Sequence, residues 1–181
     1  MKTFLLALAL AFSAASGHAQ GVISVPQPVE PMTDIEEFSA RSGAVIQREY
    51  TRLGDATVLR VDIVKVSDLL SKTALHGLRI SGNVANGALR DDAFLDVSEV
   101  DAVIRAIDVI RASAFATTPD NYVDLVYRTR CGMAIGAAYA NKRWNATIRL
   151  DRYDARTAIN IDEGQLDAFR ALLAKAKESV H

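Results

Sequence analysis

The stretches DVSEVDAVIRAIDVIR (residues 96–111) and DEGQLDAFRALLAKAK (residues 162–177) decide how this chain is built. In the first, Val97, Val100, Val103, Ile104, Ile107 and Ile110 recur at helical spacing, while Asp101, Arg105, Asp108 and Arg111 fall largely on the other face. In the second, Leu166, Phe169, Leu172, Leu173 and Ala176 repeat the stripe, with Arg170, Lys175 and Lys177 outside it. Each segment opens on a capping-box pair, Asp96 with Glu99 and Asp162 with Gln165. In such a box the cap oxygen takes an orphan amide of the first turn and the longer side chain reaches back. Both segments are therefore predicted to be helices, one closing each half of the domain.

Strand-like runs precede each helix. Gly43–Thr51 and Ala56–Val66 flank Leu53-Gly54-Asp55, which reads as a hairpin turn, and Leu59, Val61 and Ile63 alternate with Arg60 and Asp62. Ala74–Ser81 is a third run and Ala93-Phe94-Leu95 a short fourth, after a loop over Gly82–Arg90. The series recurs as Tyr122–Arg130, Met133–Ala140, Trp144–Leu150 and Thr157–Ile161, with turns at Asn141-Lys142 and Asp151–Asp154. The join at Cys131-Gly132 is either a tight turn or a bulge. The expected core draws on Leu59, Val61, Ile63, Leu78, Ile80, Leu125, Tyr127, Trp144, Ile148, Ile159 and Ile161.

The expected fold class is α+β: two successive antiparallel β-meanders of about four strands, each followed by a helix, in one domain. Sliding the chain by 66 residues superposes Asp96 on Asp162, Asp101 on Asp167 and Ala102 on Ala168. Tandem duplication accounts for this, and so does the general likeness of capped amphipathic helices. The arrangement resembles, in predicted topology alone, the Pur-type and Whirly single-stranded nucleic-acid binders. The resemblance implies nucleic-acid binding as one role, but no motif matches and no binding residue is carried over.

The N-terminus carries Lys2, the apolar run Phe4–Phe12 and small residues up to Ala19, the pattern of a secretory signal peptide cleaved after about Ala19. The run is shorter than the roughly 20 residues a membrane-spanning helix needs. Residues 20–37, with Pro26, Pro28 and Pro31, read as an extended tether, and 38–179 as the domain, divided into halves 38–116 and 117–179. The expected destination is export, periplasmic or secreted.

Composition narrows the chemistry. Lys and Arg total 21 against 22 Asp and Glu, a formal net charge of −1, which disfavours a bulk nucleic-acid binder. One cysteine excludes a disulfide framework and a multi-thiolate metal site. No zinc spacing, phosphate-binding glycine loop or Gly-x-Ser-x-Gly elbow occurs, so no metal or cofactor is expected. His76 shares a strand face with Leu78 and Ile80 and reads as a partly buried histidine. Cys131 is a free thiol that continues the face of Val123, Leu125 and Tyr127.

Charge distribution is more informative. Six acids lie between Asp91 and Asp108 against one base, Arg105, whereas seven bases lie between Asn121 and Asn160 against three acids. Arg128, Arg130 and Arg149 are expected on one sheet face, suited to bidentate pairing with an anionic group. A solvated face paired to Asp124 and Asp151 is the competing account. The expected role is a non-enzymatic binding or protein-interaction module that uses these arginines, with an anionic ligand, a protein or a second copy of the chain as partner. An enzyme site near His76 or Cys131 is the alternative, followed by a single-stranded nucleic-acid binder.

Overall fold

The computed structural model describes residues 32–84 and 89–180. Helix α1 (Asp34–Ser39) precedes strands β1 (Ile46–Ala56), β2 (Leu59–Asp68), β3 (Thr73–Val84) and β4 (Leu89–Asp96), which form an antiparallel sheet in chain order. A 3₁₀ turn over Val97–Glu99 leads into α2 (Val100–Ala114). Strands β5 (Val123–Arg128), β6 (Ala134–Ala140), β7 (Arg143–Arg149) and β8 (Ala158–Ile161) form a second antiparallel sheet in the same order, followed by α3 (Glu163–Ser179). The architecture is α+β with two four-strand meander units. The expected signal peptide and residues 20–31 of the expected tether lie outside the described residues; among the described residues no helix is long and apolar enough to cross a membrane.

The two sheets are built in matching register. Thr51, Ile63, Leu78 and Leu95 stand side by side across the first, and Leu125, Ala137, Ala146 and Ile161 across the second. In each row the fourth-strand residue precedes an aspartate, Asp96 or Asp162. Alternation carries these rows and their neighbours two residues away onto one face of each sheet. Both faces feed one core, with Leu59, Val61, Leu78, Ile80, Leu95, Ile135, Ile148, Leu166, Phe169 and Leu173 almost wholly buried.

Local readings change at four places. Gly54 marks a bulge in β1 and not a turn; the chain reverses at Thr57-Val58, with Ala56 paired to Leu59 and Thr57 at φ 56°. The segment expected as a loop after Ser81 is strand up to Val84, because Gly82 leaves room for Ile159 and Leu150 to pack against it. At the third place, the chain from Asp34 is not extended tether. Thr33 Oγ1 accepts the Glu36 amide at 3.2 Å and the Glu36 carboxylate accepts the Thr33 amide at 2.8 Å, a complete capping box. The helix it starts drops Ile35 and Phe38 onto Val64 and Val66 on the outer face of the first sheet.

The fourth change concerns the large helices. Each was expected to close its own half, but α2 packs on β5 and β6, and α3 packs on β1 and β2. The bulge explains why α3 fits there. At Gly54 a Cβ would stand 2.7 Å from a methyl of Leu172, so the missing side chain is a socket for α3, and Lys175 donates to the Leu53 carbonyl at 3.2 Å. The helices run antiparallel, joined outside by Asp101–Lys177, Asp108–Arg170 and Arg111–Glu163 pairs. The acidic run of the first half is thus matched largely within the molecule.

Candidate functional site

The outer faces of the two sheets differ. In the first, α1 covers Val64 and Val66, and beside it Arg79 bonds the buried Asp62 at 2.5 Å and stacks over Tyr50 at 4.0 Å. In the second, no helix among the described residues packs on the outer face. Its rows read Arg128, Ala134, Arg149, Ala158, then Val126, Gly136, Thr147, Asn160. Along β6 the outward positions Ala134, Gly136, Ala138 and Ala140 are all small, so they form a shallow floor between taller walls on β5 and β7. Gly136 is required there, since a Cβ would stand 2.6 Å from the Leu125 carbonyl oxygen.

Arg128 and Arg149 face each other across Ala134, two strands or about 10 Å apart. Neither makes an ion pair among the described residues. Arg149 Nε is out of contact with water and has no hydrogen-bond partner. The pairs to Asp124 and Asp151 in the competing account do not form, and Asp151 Oδ1 instead accepts the amides of Tyr153 and Asp154 and so organises its own turn.

Arg130 does not belong to this face. Strand β5 stops at Arg128, and Thr129–Gly132 is a tight turn closed by Gly132 N–H to the Thr129 carbonyl at 3.0 Å, with Gly132 at φ 88°. That settles the Cys131-Gly132 join as a turn and swings Arg130 inward. Its guanidinium pairs with Asp96 at 2.7 Å, Asp34 at 3.3 Å and Glu99 at 3.5 Å, and donates to Ser98 Oγ at 3.0 Å. Its backbone amide donates to Glu99 Oε1 at 2.9 Å. Arg130 is a clamp between the halves and α1.

The same cluster overturns the expected Asp96–Glu99 capping box. Asp96 makes no side-chain cap to its own helix. Instead its carboxylate, 3% exposed as a residue, accepts the amides of Asp34 at 2.8 Å and Ile35 at 3.1 Å, capping α1 from another part of the chain. Asp162, its counterpart, keeps the expected box with Gln165.

His76 and Cys131 make no hydrogen bond to each other. His76 is exposed and not partly buried, because the core-facing side of β3 runs past the core at that point and sets it opposite exposed Lys65. Cys131 sits in the turn after β5, not on its face, with Sγ 3.1 Å from Thr129 Oγ1. It lines a cavity of about 230 Å³ together with Glu36, Asp92 and Asp151. Burial pushes its thiol pKa up, and the carboxylates of Glu36 and Glu99 add to that against the Thr129 hydrogen bond. A thiol so held is protonated at neutral pH and a poor nucleophile.

The bare outer face carries no aromatic ring between its arginines. Tyr127 and Trp144 point to the core side, and the Trp144 indole N–H donates to the Thr117 carbonyl at 2.8 Å. Base stacking, which a single-stranded nucleic-acid interface uses, has no platform beside Arg128 and Arg149. Comparison of the chain with protein-family models, curated proteins and solved structures finds no match.

Proposed function

We propose that this protein is a non-enzymatic binding module and that the outer face of its second sheet is the binding surface, with Arg128 and Arg149 gripping an anionic group. The observation that carries this reading is the contrast between the two outer faces, one covered by α1 and the other left open around two arginines without ion-pair partners. Arg128 and Arg149 stand on strands about 10 Å apart at the backbone, either side of the small residues of β6, which suits an extended carboxylated or sulfated partner. With its N-terminal leader pattern, the protein would meet that partner after export.

The test is a thermal-shift titration of residues 20–181 with sulfated and carboxylated oligosaccharides and with acidic peptides. A ligand at about 100 times its Kd adds roughly 2.7 kcal/mol of stability, a rise of several degrees for a domain of this size. The rise should vanish in the Arg128→Ala/Arg149→Ala variant and persist in Lys65→Ala, a base on the other sheet. A rise that survives loss of both arginines, or none with any acidic probe, overturns the reading.

A further inference from the structure

The end of the second sheet away from Arg128 and Arg149 holds a cavity of about 550 Å³, between residues 118–122 and the β6–β7 turn. Its volume lies within the ~300–1,000 Å³ typical of small-ligand clefts. Tyr139 lines it, is 8% exposed, and rests its ring 5.4 Å from that of Trp144. The Tyr139 hydroxyl makes no hydrogen bond among the described residues and its oxygen is open to solvent, so it is available to a ligand in the cavity. Tyr122 stands at the rim, 67% exposed, the inverse of what a ring this large does in a packed site.

The remaining polar lining is equally uncommitted. Asp120, Asn121, Asn141 and Lys142 make no hydrogen bond or ion pair with other described residues. Asn141 and Lys142 occupy the two left-handed positions of the hairpin turn, at φ 54° and 63°, which fixes where this wall stands. Trp144 N–H to the Thr117 carbonyl anchors the facing segment. The site therefore has walls held by hydrogen bonds and a lining left without them.

The lining chemistry selects a ligand class. Asp120 and Lys142 cancel in charge, so no net field favours an anion or a cation. Phenols and amides each donate and accept, which matches hydroxyl groups that do both. An exposed aromatic face suits a ring with an apolar C–H side. We propose that this cavity binds a neutral saccharide, with Tyr122 as the stacking platform and Tyr139, Asn121, Asn141 and Asp120 as the hydrogen-bonding set. The proposal is independent of the arginine face, which lies at the other end of β6.

Trp144 is the one tryptophan of the chain, so its emission reports on Tyr139 directly. Residues 20–181 are titrated with neutral tetrasaccharides of glucose, galactose, mannose and N-acetylglucosamine, followed by Trp144 fluorescence and by calorimetry. At least one should bind saturably at millimolar concentration or below. Tyr122→Ala should weaken it by about tenfold or more without lowering the melting temperature, since the ring is mostly in solvent. Tyr139→Phe, which keeps the packing and removes only the hydroxyl, should weaken it several-fold. The Arg128→Ala/Arg149→Ala variant should bind as wild type. No saturable binding by any of the four sugars overturns the proposal, as does binding that both tyrosine variants retain in full.

Discussion

Replacing Asp96 with alanine should cost far more than replacing Asp162, although both aspartates end a fourth strand and stand before a helix. Asp162 is exposed and caps its own helix through the Gln165 amide at 2.8 Å. Loss of such a cap typically costs about 1 kcal/mol. Asp96 is buried, accepts two amides of α1 and pairs with Arg130. Hydrogen bonds to a charged group are each worth about 1.5–3 kcal/mol, and breaking a buried ion pair costs about 3–5 kcal/mol. Because Arg130 keeps Glu99 as a partner, the lower half of that range applies, so Asp96→Ala should lose about 3–4 kcal/mol.

The loss has a ceiling. Helix α1 is six residues long and has no stability of its own, so once its cap is gone it detaches and further damage stops. Equilibrium urea unfolding of residues 20–181 gives the two differences, and native-state hydrogen exchange says where they arise. In Asp96→Ala the amides of Asp34 and Ile35 should lose protection while those of Val64 and Val66 in β2 keep it. Asp96→Asn, which retains one acceptor oxygen, should fall between wild type and alanine. Equal costs for Asp96→Ala and Asp162→Ala within about 0.5 kcal/mol would refute the cross-chain cap. Unchanged protection at Asp34 and Ile35 would do so too.

Two further outcomes follow from local electrostatics. Burial raises the Asp91 carboxyl pKa above its ordinary value, with Asp151, Asp92 and Asp154 nearby adding to the shift, and its Oδ2 has no partner. An acid whose folded pKa is raised opposes folding once it ionises, so Asp91→Asn should raise the melting temperature at pH 7, and the gain should disappear as pH falls below the unfolded carboxylate range; a loss at pH 7 would contradict it. The raised Cys131 thiol should react with a maleimide more slowly than a free cysteine at pH 7 and accelerate only at clearly alkaline pH. Labelling at the rate of the urea-unfolded chain would show the thiol to be accessible and ordinary.

Hydrophobic period was enough to place all eight strands and the two long helices, because each segment buries one face and alternation or helical spacing records which. It fails where two principles compete for one residue. Gly54 carries the composition of a turn, yet a glycine inside a strand equally marks a bulge or a close approach, and here Leu172 from the far half makes the approach. Pro26, Pro28 and Pro31 drew the reading of an extended chain across Thr33 and Glu36, whose three-residue spacing is itself a helix start. His76 obeys the strand alternation but sits beyond the edge of the helical cover, and periodicity along a strand does not say where its covering layer ends.

The candidate surface shows the same limit more sharply. Arg128 and Arg130 are two apart, and that spacing places them on one face only if the strand continues through both. Gly132 at φ 88° ends it between them, packed so close to Arg152 that a Cβ would meet its Nε. One arginine is left on the open sheet and the other is drawn among three carboxylates. Arg149 needs no such information, because its place across Ala134 follows from register alone. The divergence of the halves then has a physical source in two aspartates at matching positions. Asp162 spends its carboxylate on its own helix, whereas Asp96 turns outward to hold α1, so the first sheet acquires a second covered face. The second sheet has no equivalent strap among the described residues, and its outer face keeps no helical cover, which is why it is the face proposed for binding.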